Sequence, residues 1–79
     1  MSALDDVAGE RKRQDAKWGE QNHDDAMWFC ILGEEFGELA QAVLHTKVGG
    51  RAAGTAREEL VQTAAVAVAW IEAMDRRKP

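Results

Sequence analysis

The amino-acid sequence predicts an all-α fold: a three-helix protomer whose second and third helices form an antiparallel hairpin, with a four-helix-type bundle core completed by oligomerisation. Three observations carry this. The chain is rich in alanine, glutamate and leucine, with one proline and no tyrosine in 79 residues, and such a composition favours helix. Its apolar residues recur at three- and four-residue steps, the mark of an α-helix. Finally, a chain of this length buries only about 60% of its unfolded surface, and its one cysteine, Cys30, excludes an internal disulfide. Association with further copies is the remaining source of stability, so a homodimer or homotetramer is expected.

The first helix is expected over residues 3–17, where helix formers follow Ser2, a suitable N-cap. Leu4, Val7 and Ala8 share its apolar face. The segment WGEQNHDD (18–25) reads as a connection, with Gly19 ending one helix and Asn22, Asp24 or Asp25 capping the next. The second helix runs from Ala26 to about Lys47. VGGRAAG (48–54) reads as a flexible loop. The third helix spans about 55–77, with Thr55 and Glu58 spaced as a capping box. Its centre, Leu60–Ile71, is apolar nearly all round and needs cover on several sides.

Nothing in MSALDDVAGERKRQ has the apolar core of a secretory signal, and the longest apolar stretch, Ala64–Ile71, is far too short to span a bilayer. A cytoplasmic protein with no membrane partner is expected. The net charge of −4 argues against nucleic acid as a partner. The RKR run at 11–13 reads as solvated helix surface, and Cys30 as a buried, inert thiol.

One feature conflicts with a simple core helix. ILGEEFGELAQAVL (31–44) places Glu34, Glu35 and Glu38 inside an apolar run, with no lysine or arginine at positions 30–42 to offset them. At about 100° per residue all three fall within one arc of about 100°. Like charges at this spacing cost a few tenths of a kcal/mol each. On the third helix Gln62 lies three residues after Glu59 and four after Glu58, and an antiparallel hairpin lets the two polar patches meet. Clustered carboxylates on facing helices suit Mg²⁺, a hard ion that takes oxygen ligands. On spacing alone, a metal site and a solvated acidic surface stand equal. A ferritin-like di-iron site needs Glu-x-x-His, but position 42, three before His45, is alanine.

EEFGE (34–38) followed by EELVQ (58–62) resembles the paired EExxE and ExxD motifs of the MazG-like all-α nucleoside triphosphate pyrophosphohydrolases. ERKRQDAKWGEQNH (10–23) and REELVQTAAVAVAWIEAMDRR (57–77) resemble a short, phage- or mobile-element-like branch of that superfamily, so the likeness covers nearly all of residues 1–79 as one domain. The resemblance implies a Mg²⁺-dependent enzyme, with Mn²⁺ as a substitute, that cleaves a (deoxy)nucleoside triphosphate between its α- and β-phosphates. Nucleoside monophosphate and pyrophosphate are the products, in nucleotide-pool control or house-cleaning. By position it implies Glu34, Glu35, Glu38, Glu59 and Gln62 as metal ligands, with Glu34 or Glu35 also accepting a proton from the attacking water. Gln62 stands where the family has aspartate. The alternative is a non-catalytic helical dimerisation module descended from such an enzyme. Lys17, Trp18 and His23 fall near the expected pocket mouth: Lys17 to meet a phosphate, Trp18 to stack on a base. Packing is the competing role for Trp18, and a surface or capping position for His23. Trp28 and Trp70 are expected in the core or an interface.

Overall fold

The computed structural model describes residues 2–48 and 54–77. They form three helices, α1 (Ala3–Trp18), α2 (Asp25–Val48) and α3 (Ala56–Arg76), and no strand among the described residues. Residues 49–53 of the expected 48–54 loop lie outside them.

Each helix starts on a short polar side chain. Ser2 accepts from the Asp5 amide at 3.1 Å, while Asp5 accepts from the Ser2 amide at 3.2 Å, a closed capping box. Asp24 is the residue that caps α2, accepting from the Met27 amide at 2.8 Å. Thr55 caps α3 by accepting from the Glu58 amide at 3.1 Å. There the box closes differently: the Thr55 hydroxyl donates a hydrogen bond to the Glu58 carboxylate at 3.2 Å. Gly19 ends α1 with φ 73° and ψ −171°, its amide donating to the Asp15 carbonyl at 2.8 Å. Only glycine adopts that conformation without strain.

The shared helix is α3, which packs against both α1 and α2. Its seam with α2 holds the core: Trp28 from α2 with Val66, Ala69 and Ala73 from α3, flanked by Ile31, Leu32 and Trp70. The alanines let the backbones approach. Trp28 and Trp70 thus hold the packing positions expected of them, and the Trp70 indole N–H donates to Asp25 at 2.9 Å. Arg77 donates to the same oxygen at 2.7 Å, and these two bonds, Trp70 first, hold the Asp25 carboxyl below its ordinary pKa.

Attachment of α1 follows another principle. It has no buried residue, and Leu4, expected on its apolar face, is 81% exposed. Polar contacts join it to α3 instead: Arg11 to Glu72 at 2.7 Å and Asp6 to Arg57 at 2.6 Å. Arg11 therefore departs from the expected solvated RKR run, since its side chain is only 13% exposed.

The protomer is flat, 48 × 31 × 18 Å. Its Cα radius of gyration is 13.6 Å, against about 12 Å for a globular chain of this length. Flatness leaves apolar side chains uncovered. Phe29, Phe36 and Val43, seven residues apart on α2, are all more than half exposed, as are Leu60 and Ile71 on α3. Cys30, expected to be buried, is exposed on the same stretch of α2. No helix among the described residues is long and apolar enough to cross a membrane.

Two glycines of α1 separate backbone need from side-chain space. Gly19→Ala will lower stability by about 1–3 kcal/mol. Gly9→Ala, in open space within the helix, will raise it by about 0.5–1 kcal/mol. Chemical denaturation at fixed protein concentration measures both.

Candidate functional site

The α2–α3 hairpin brings three acids together. Glu35 and Glu38 on α2 and Glu59 on α3 each offer a carboxylate oxygen, and these oxygens lie within 4.8 Å of one another. Glu59 is 3% exposed, and Glu59 Oε2 and Glu35 Oε2 are buried without a hydrogen-bond partner. Burial pushes the Glu59 carboxyl above its ordinary pKa, helped by the charge of Glu38, a hydrogen bond shared with it, and the charge of Glu58. Glu35 is pushed up as well, by burial first and then by Glu38, Glu59, Glu34 and Glu10. Each shift has the same cause: a carboxylate out of water, facing like charges.

Gly54 makes room for this arrangement. A Cβ there would lie 3.1 Å from Glu59 Oε1 and 3.3 Å from Glu58 Oε2. Any larger residue at the entrance to α3 presses on the acids.

The cluster suits a small, hard cation. Its donors are all oxygens, and two of them lack a partner. Among three oxygens around one octahedral Mg²⁺, each at about 2.1 Å, at least two of the three pairs are neighbours about 3 Å apart, so oxygens spread over as much as 4.8 Å have to close in around an ion.

Beside the cluster lies a cavity of about 730 Å³, bounded by α1, the 19–24 connection, α2 and α3. Glu35 belongs to both the cluster and the cavity wall. Glu34 and Gln62 line the cavity but lie outside the three-carboxylate group, while Glu38 and Glu59 belong to the group and not to the wall. Gln62 also borders a smaller hollow beside Asp6 and Arg57. Of the four sequence-selected acids, Glu35, Glu38 and Glu59 are brought together and Glu34 stands beside them on the cavity wall.

Trp18 and His23 line the cavity; Lys17 does not. The Lys17 ammonium lies 4.7 Å from the Trp18 ring centroid, a cation–π contact. His23 hydrogen-bonds to Gln21 at 3.1 Å and packs edge-to-face on Trp28.

Arg11, Arg76 and Trp28 also line the cavity, and sequence reasoning did not select them for the site. The two arginines depend on long-range partners, Glu72 for Arg11 and Asn22 for Arg76, and no local spacing announces these. Trp28 did leave a signal: it precedes Glu35 by seven residues, two helical turns, and so shares its face.

Acids outnumber bases around the cavity, and each lining arginine is already engaged. Arg11 holds Glu72 and Asp15, Arg13 holds Glu10, and Arg76 reaches Asn22 and Glu20. A phosphate entering the cavity meets no uncommitted arginine. Comparison with protein-family patterns, curated proteins and solved structures finds no match for the chain.

The raised pKa of Glu59 fixes a pH dependence. Its folded pKa lies above the unfolded value, here taken as 4.5, so the folded state holds the proton more tightly. The stability it contributes is present below that pH and is lost as pH rises through the folded pKa. Without divalent cations, the wild type will lose thermal stability relative to Glu59→Gln as pH is raised from 4.5 to neutrality. A constant difference between the two melting curves would refute the assignment.

Proposed function

We propose that this chain is a Mg²⁺-dependent nucleotide pyrophosphohydrolase of the MazG-like kind, acting as a homo-oligomer. The observation that carries this is the group of Glu35, Glu38 and Glu59, drawn from two helices, with two buried unpartnered oxygens beside a cavity of about 730 Å³. The paired acidic motifs in the sequence support it independently. Among the described residues every arginine lining the cavity is engaged, so a triphosphate there would need divalent cations to offset its charge.

Glu35, Glu38 and Glu59 would hold the ion, with Mn²⁺ as a substitute for Mg²⁺. Bound there, the ion supplies charge neutralisation for the phosphates and Lewis-acid polarisation. Phosphoryl chemistry otherwise needs an aligned water more than a protein nucleophile. Water attacks the α-phosphorus, the bond from that phosphorus to the oxygen bridging the β-phosphate breaks, and pyrophosphate leaves. Glu34 lines the cavity outside the three-carboxylate group, so it is the carboxylate left to accept the proton of the attacking water. Gln62 borders the cavity as a neutral amide, which fits contact with substrate better than a full metal ligand. Trp18, with Lys17 against its ring, offers a stacking surface for the base. His23 forms wall beside it.

The exposed Phe29, Phe36 and Val43 support assembly into a four-helix-type core. None of the three lines the cavity, so a second copy can cover them and leave the cavity open. The same face also fits a dimerisation module without catalysis, and the two readings part on turnover.

With Mg²⁺, the purified oligomer is expected to release pyrophosphate, not orthophosphate, from at least one common or modified nucleoside triphosphate. Glu38→Gln is expected to reduce turnover at least about 100-fold with helicity retained, since it removes a charge from the proposed metal site. No pyrophosphate from any triphosphate, and no Mg²⁺-dependent rise in melting temperature with a non-hydrolysable nucleotide, would leave the non-catalytic module. Phe36→Asp is expected to shift sedimentation toward the monomer.

A further inference from the structure

The cavity wall carries a polar group that the reaction above does not use. Trp28 lines the cavity beside Ile31, Val66 and Ala69 and is 2% exposed. Its indole N–H is closed to water and has no acceptor. The Trp70 indole differs, donating to Asp25 at 2.9 Å. Indole is a donor only, and a buried donor without an acceptor keeps the full penalty of its lost hydration. A phenylalanine at position 28 would fill an apolar wall without that penalty.

Beside it, the His23 ring packs edge-to-face on Trp28 with centroids 5.1 Å apart. Its one hydrogen bond among the described residues is to Gln21, in the same connection. No bond of that kind among the described residues ties His23 to a helix.

We propose that Trp28 reads the nucleobase: once the His23 ring moves aside, the indole N–H donates to an acceptor on the edge of the base. This rests on the nucleotide reading above and adds the residue that selects among bases. Ile31, Val66 and Ala69 provide apolar contact for a planar ring, and the N–H provides the one directional contact. A ring of the same shape without an edge acceptor leaves the donor as unpaired as it is in the free protein and lacks the gain of the bond, so it binds more weakly.

Binding, rather than turnover, tests this. Calorimetry with the full chain and Mg²⁺ would use the α,β-imido triphosphates of thymidine and deoxyadenosine, and a thymidine analogue with difluorotoluene in place of the base. Two replacements separate packing from hydrogen bonding. Trp28→Phe removes the donor and one ring; replacement of Trp28 by 3-benzothienylalanine keeps the bicyclic shape and puts sulfur where the N–H was. The base that is read should bind both variants about tenfold more weakly than the wild type, whereas the difluorotoluene analogue should bind all three proteins alike. A loss confined to thymidine identifies a ring carbonyl as the acceptor, and a loss confined to deoxyadenosine a ring nitrogen. Benzothienyl protein that binds both natural nucleotides as tightly as wild type overturns the proposal and leaves the hydrolase reading standing. Wild-type protein that binds neither nucleotide also overturns the proposal, whereas the hydrolase reading falls only if no triphosphate yields pyrophosphate.

Discussion

Three like-charged groups held together between two helices are the constraint around which this protein is built. Glu59 is buried on α3 and faces Glu35 and Glu38 on α2, and with no cation bound that arrangement opposes folding. The opposing gain comes from the same seam, where Trp28 packs against Val66, Ala69 and Ala73. Because α2 supplies two acids and α3 the third, the group exists only while the hairpin is packed. Folding and formation of the acidic site are one event, so a cation that binds the acids stabilises the fold by the same free energy.

The second constraint is that α2 is apolar on more than one side. One side meets α3 through Trp28, Ile31 and Leu32; another presents Phe29, Phe36 and Val43 to solvent. A helix of this kind is half-used in a single protomer. Cys30, exposed on that stretch, is a small apolar residue of the second side, not of the core. The cavity depends on α1 and the 19–24 connection for its remaining wall, so it is distinct from the face that carries Phe29, Phe36 and Val43.

Most of the fold was legible in the sequence because its signals are local. Ser2, Gly19, Asp24 and Thr55 punctuate the helices through contacts with residues four or fewer positions away. The acids were legible for the same reason: helical spacing placed Glu35 and Glu38 on one arc, and an antiparallel hairpin brought Glu59 opposite. What escaped depends on contacts distant in sequence. The engagement of Arg11 by Glu72 spans 61 residues, and the exposure of Leu4 and Cys30 follows from where α1 and α2 dock rather than from their own neighbours. Gln62 falls between these cases. Its spacing placed it one turn from Glu59 on α3, and it lines the cavity.

The attachment of α1 gives the molecule two kinds of cohesion. The seam between α2 and α3 carries the apolar core, whereas α1, without a buried residue, is joined to α3 through the partly solvated pairs of Arg11 with Glu72 and Asp6 with Arg57. Ionic screening weakens these pairs and leaves the apolar contacts unchanged. In concentrated salt α1 is therefore the segment to exchange its amides first, opening as a local unit of low stability. One wall of the cavity would loosen while the three acids stay in place, so the shape of the cavity and the grouping of the acids respond differently to ionic strength.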